Sequence, residues 1–171
     1  MTDWAANYAP LIGSTVEVLK WRPLTCDTPS VIQDFRAASF WFTGAAQVIF
    51  SSDRELFLTW TQSGPNMVLE ATDESRWGPH ALDSLIAYAD EPWSAILGST
   101  LTGASFFTLP EIEGEHVVVV RHDLLVDDKQ HRLWIGVGWE NGISDTDDLW
   151  VSVGVDPPNV DDLIKIGSVG S

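Results

Sequence analysis

Leu11-Ile12-Gly13-Ser14-Thr15 is written twice in this chain, returning as Ile96-Leu97-Gly98-Ser99-Thr100. An aliphatic residue follows each copy, Val16 in the first and Leu101 in the second. Two further pairs of stretches echo each other. Ala38-Ser39-Phe40-Trp41-Phe42-Thr43 is matched by Ala104-Ser105-Phe106-Phe107-Thr108, and Leu56-Phe57-Leu58-Thr59-Trp60 by Ile135-Gly136-Val137-Gly138-Trp139. The last pair runs into polar turns that contain glycine, Thr61-Gln62-Ser63-Gly64 and Glu140-Asn141-Gly142. The reading is a tandem duplication of one strand-rich unit. It predicts a mainly β fold, two copies of a roughly four-stranded antiparallel unit packed with pseudo-twofold symmetry. An α+β arrangement, with one helix covering a sheet face, is the alternative.

Each unit opens in the same way. Asp3 precedes a turn of helix through Leu11, and Asp90-Glu91-Pro92 precedes Trp93 to Leu97, with Gly13 or Gly98 just past the end. An acidic side chain satisfies free N–H groups at a helix start, and glycine accepts the left-handed conformation that ends one. Strands are expected at Thr15 to Arg22, Ala37 to Thr43, Gln47 to Phe50, Glu55 to Thr61 and Met67 to Thr72. In the second unit they are expected at Leu101 to Thr108, His116 to His122, Arg132 to Trp139 and Leu149 to Val155. Between the units, Leu82, Leu85, Ile86 and Ala89 fall on one helical stripe, which predicts a helix over Pro79 to Ala89. The whole is one domain: residues 1–75 the first β unit, 76–92 the linking helix, 93–158 the second β unit and 159–171 a tail. The tail's last residues, Gly167 to Ser171, are expected to fray.

The copies drift in register. The offset is 85 at Ser14 and Ser99 (99 − 14), 66 at Ala38 and Ala104 (104 − 38), and 79 at Trp60 and Trp139 (139 − 60). The first unit therefore holds 19 extra residues (85 − 66) near Cys26, and the second 13 (79 − 66) before Trp139. A shared frame explains packing, so such departures are where function is sought.

Charge narrows the partners. The chain has 25 acidic and nine basic residues, a net charge of −16 among 171 residues. Nucleic acid and anionic membranes both demand clustered Lys and Arg, which this chain does not have. A basic protein partner fits, as does a plain solvated acidic surface. The nine tryptophans suit cores with a wet edge and interfaces. One cysteine, Cys26, forms no internal disulfide and points to a reducing compartment. Met1 to Ala6 has neither a basic start nor an apolar run of signal length, and no run approaches transmembrane length. The expectation is a soluble, cytoplasmic protein.

The stretches Trp134 to Trp139 and Trp150 to Val155 read as two-faced strands. Ile135, Val137, Trp139, Val151, Val153 and Val155 form the core face. Trp134, Gly136, Gly138, Trp150, Ser152 and Gly154 form the other, two indoles beside nearly bare backbone. Glycine inside a strand often marks the close approach of a ligand or another chain. Trp134, Gly136, Gly138, Trp150 and Ser152 are therefore the candidate binding residues, against the plainer reading that the indoles fold over their own glycines. His116 and His122, six apart on a strand, stand about 20 Å from each other. With His131 they read as ordinary surface histidines, since no zinc spacing is present. Ser144-Asp145-Thr146-Asp147-Asp148 lacks the pattern of a calcium loop. Cys26 beside Asp27 has no nearby base to make a nucleophile. No metal and no cofactor is expected.

The function expected is a non-enzymatic intracellular binding protein with an acidic, Trp-rich surface, an inhibitor or immunity-type protein for a basic protein partner. A small apolar-ligand binder holding its ligand between two sheets is the alternative. An enzyme comes third, because no acid–base or nucleophile constellation has a specific spacing.

Overall fold

A computed structural model describes residues 3–23, 37–51, 53–72, 86–87, 91–112, 114–137, 148–157 and 160–170. The chain is mainly β. Helix α1 (Trp4–Tyr8) leads through a 3-10 turn into β1 (Val16–Pro23), followed by β2 (Ser39–Phe42), β3 (Gly44–Phe50), β4 (Glu55–Ser63) and β5 (Asn66–Thr72). Then come β6 (Ile86–Ala87), β7 (Thr100–Thr108), β8 (Val119–Val126), β9 (Lys129–Val137), β10 (Leu149–Val153) and β11 (Ile164–Gly170). All pairings are antiparallel. Among the described residues, one sheet has five strands in the order β5-β4-β3-β1-β6, the other six in the order β11-β7-β8-β9-β10-β2. No helix among the described residues is long and apolar enough to cross a membrane.

The two Gly-Ser-Thr copies meet. Thr15 and Thr100 form an antiparallel bridge. The Gly13 N–H donates to the Leu101 carbonyl at 2.8 Å and the Gly98 N–H to that of Val16 at 2.8 Å. The Val16 N–H donates to Ser99 at 2.8 Å and the Leu101 N–H to Ser14 at 2.9 Å. Exchanging 13 with 98, 14 with 99 and 16 with 101 turns each bond into the other. Gly13 and Gly98 hold φ of +87° and +82°, a region that other L-residues enter only with strain. This seam joins the two sheets.

The same exchange runs outward from the seam. A bulge falls between Val16 and Val18 where β1 pairs with β3, and between Leu101 and Gly103 where β7 pairs with β8. Tyr8 meets Phe106 edge-on at 5.3 Å between centroids, and Trp93 meets Trp21 edge-on at 5.1 Å. The order β1-β3-β4-β5 in one sheet parallels β7-β8-β9-β10 in the other. A common core takes Leu19, Trp21, Phe50 and Leu58 from the five-stranded sheet and Leu101, Phe106, Val120 and Ile135 from the six-stranded one.

Four expectations need correction. β2 does not correspond to Ala104–Thr108. It pairs with β10 in the six-stranded sheet, whereas 104–108 lies within β7, between β8 and β11. Trp60 does not align with Trp139 either. With β3 laid on β8, Leu58 opposite Ala46 matches Ile135 opposite Val120, an offset of 77 (135 − 58). Ile86 and Ala87 are extended rather than helical, because β1 offers them an open edge at Trp21 and Lys20; the rest of Pro79 to Ala89 lies outside the described residues. Gly167 to Gly170 do not fray, because β7 supplies their hydrogen-bonding partners. β8 and β9 are joined by a two-residue turn in which Asp127 and Asp128 hold φ of +47° and +60°.

Candidate functional site

The Trp/Gly face is not an open surface. Trp134 is 1% exposed, Trp150 4% and Ser152 0%. Trp134 and Trp150 belong to a second apolar cluster on the outer side of the six-stranded sheet. Leu109 and Ile112, from the turn after β7, and Val160 and Leu163, from the turn before β11, complete it. Gly136 is bare for packing. A Cβ there would stand 2.9 Å from Val119 Cγ2 and 3.3 Å from the Val118 carbonyl. Ser152 donates to the Val155 carbonyl at 2.7 Å. Gly138 lies outside the described residues, as do Cys26 and Ser144 to Asp147. Arg121, paired with Asp123 at 3.0 Å, caps the Trp134 ring at 5.7 Å from its centroid. Of this aromatic row, Trp41, opposite Trp150 in register, is 43% exposed.

The histidines part company. His122 is 1% exposed and is no surface group, because its strand position points into the core. Its Nε2 lies 2.8 Å from the Tyr8 hydroxyl and its Nδ1 3.0 Å from the Leu133 carbonyl. A carbonyl only accepts, so Nδ1 carries the proton and Nε2 accepts from Tyr8. Burial lowers the His122 pKa to about 4 and raises that of Tyr8, so both are neutral near pH 7. The pair ties α1 to β8 inside the core, out of reach of substrate. His116 stands apart at the surface, its Nε2 3.1 Å from Ser63 Oγ in the β4–β5 turn. No carboxylate among the described residues hydrogen-bonds its Nδ1, so the third member that orients such a base is not in place.

The arrangement with most chemical character lies at the α1 end. A cavity of about 450 Å³ opens between α1 and β11, with Asp3, Trp4, Phe106, Glu115, Val117 and Ile166 in its lining. A second, of about 200 Å³, shares Trp4, Glu115 and Val117 and reaches Glu70 and His116. A third, of about 410 Å³, shares His116 and Ser63 and reaches Glu111. Together they make a trough from β11 to the β4–β5 turn. Among the described residues, four carboxylates line it, those of Asp3, Glu70, Glu111 and Glu115, and no lysine or arginine does.

Local sequence explains the placement. Asp3 caps α1 by accepting from the Ala6 N–H at 3.0 Å, which fixes its carboxylate at the trough mouth. Trp4, next in sequence, turns inward and packs on Phe106 at 5.7 Å between centroids. Glu115 precedes the buried valines of the 117–120 run, where the chain enters the six-stranded sheet. Sequence reasoning missed the trough because its residues lie far apart along the chain. The acidic residue next to tryptophan at the opening turn was the available signal. No three His, Cys, Asp or Glu side chains among the described residues converge as a metal site. No protein-family model, curated protein or solved structure matches this chain.

Proposed function

We propose that this is a binding protein for a basic macromolecular partner, engaged at the acidic trough beside α1 rather than at the Trp/Gly face. The observation that carries the reading is three carboxylates, those of Asp3, Glu111 and Glu115, on one walled surface that no lysine or arginine among the described residues lines. A Lys- or Arg-bearing segment gains charge complementarity there, and the walls of Trp4, Phe106 and Ile166 take the apolar stems of those side chains. A net charge of −16 steers a cationic partner toward the chain from a distance. An inhibitor or immunity-type neutraliser of a basic protein is the role this suits.

The test is a variant carrying Asp3→Asn, Glu111→Gln and Glu115→Gln. Asn still caps a helix, so α1 is kept. Exposed charge pairs contribute roughly 0.2–1 kcal/mol each, so losing three weakens capture of a lysine-rich peptide by about ten-fold at low salt. The salt dependence of binding becomes shallower with it. A control that neutralises Asp127 and Asp128, on the distant β8–β9 turn, leaves binding unchanged. Equal losses from both variants, or none from the first, would refute the reading.

A further inference from the structure

We infer that the partner docks as an added β-strand, a basic extended segment paired along the free edge of β11. This rests on the trough reading above and names the form its occupant takes. β11 is the end strand of its sheet, hydrogen-bonded to β7 on one side. Alternate residues of such a strand turn their N–H and C=O groups away from the sheet, a ready template for another chain. None of the backbone bonds outside the ladders falls on Ile164–Gly170 among the described residues. The strand is open on its faces too, with Ile164 47% and Ile166 39% exposed.

The edge and the trough are continuous. Ile166, Gly167 and Ser168 form one wall of the 450 Å³ cavity whose other lining includes Asp3 and Glu115. A strand laid on β11 would therefore send alternate side chains into the acidic cavity. The bulge between Lys165 and Gly167 leaves Gly167–Gly170 as the regular run, in register with Phe106 to Gly103. That run has no bulky side chain except Val169, so another backbone can approach it closely.

Charge decides the occupant. A second copy of this chain would bring another −16 to the same edge. Asp161 and Asp162, exposed just before β11, add to that repulsion, against the single cation Lys165 on the strand. A segment alternating Lys or Arg with apolar residues meets both the carboxylates and the exposed isoleucines.

The experiment compares two peptides on the intact protein, a lysine–valine alternating octamer and the same octamer N-methylated at every second residue. Charge and composition are matched, and only the first can complete a ladder. Strand addition predicts that the methylated peptide binds at least about ten-fold more weakly. It also predicts slowed hydrogen exchange at amides within 166–170 when the unmodified peptide binds. Equal, salt-sensitive binding of both would overturn strand addition while leaving the acidic trough standing. Failure of both peptides to bind would overturn the trough reading as well. Protection of β11 that rises with protein concentration alone would make the occupant a second copy and refute the inference.

Discussion

His122 shows what a single position does when its strand faces inward. Six residues from His116 in sequence, it sits at the Tyr8 contact while His116 sits at the surface beside Ser63. Its pKa of about 4 in the folded chain lies below the ordinary 6.5. As pH falls, the unfolded chain takes up the proton first. Stability from this group is therefore complete above pH 6.5 and is lost progressively toward pH 4, about 3 kcal/mol in all. Urea unfolding at pH 7.5 and pH 4.5 should show this loss, and a His122→Phe variant should lack that component of the pH slope. An identical slope in the variant would assign the acid sensitivity to the carboxylates instead. Composition pointed to surface histidines because unpaired histidine is seldom fully buried, and the tyrosine that satisfies His122 lies in a different element.

At the scale of elements, the alternation of Trp134 to Val137 and Trp150 to Val153 into two faces was readable, since strands repeat every second residue. Whether the second face was open was not. Its cover comes from Leu109, Ile112, Val160 and Leu163, in turns that carry no periodic signal. The same limit hid the end of β11. Gly167-Ser168-Val169-Gly170 has weak strand preference by itself, and β7 supplies what it lacks. Gly136 tests the packed reading of this face. In Gly136→Ala the new methyl presses on Val119 across the β8–β9 ladder, and overpacking of this kind costs roughly 1–3 kcal/mol. Thermal unfolding of Gly136→Ala, Val119→Ala and the double variant gives the coupling. The double variant should be more stable than the sum of the single losses predicts. Strict additivity would mean that Gly136 is bare for some other reason.

For the whole molecule, the repeated Leu/Ile-Gly-Ser-Thr stretch was the most legible feature, because two copies of one motif stand out without knowledge of the fold. The weaker echoes misled. Aromatic strands resemble one another wherever they lie, so β2 was matched to part of β7, and a slip of two residues in β9 keeps the same faces. We propose duplication of a four-strand unit as the origin of the matched strand order, the bulge after Val16 and Leu101, and the exchanged ring contacts of Tyr8 and Trp93. β2 is the addition that crossed to the neighbouring sheet. The acidic trough lies where α1, the opening element of the first unit, meets β11, the last strand of the second sheet. The site thus depends on the two sheets acting as one body.

Native-state hydrogen exchange at the seam tests that dependence most directly. The amides of Gly13, Val16, Gly98 and Leu101 each donate across it. If the sheets form one cooperative unit, these four exchange only through global unfolding, at the free energy of the slowest core amides in β3 and β8. Faster exchange at the seam than in either sheet would show two bodies that open independently, and would contradict the account.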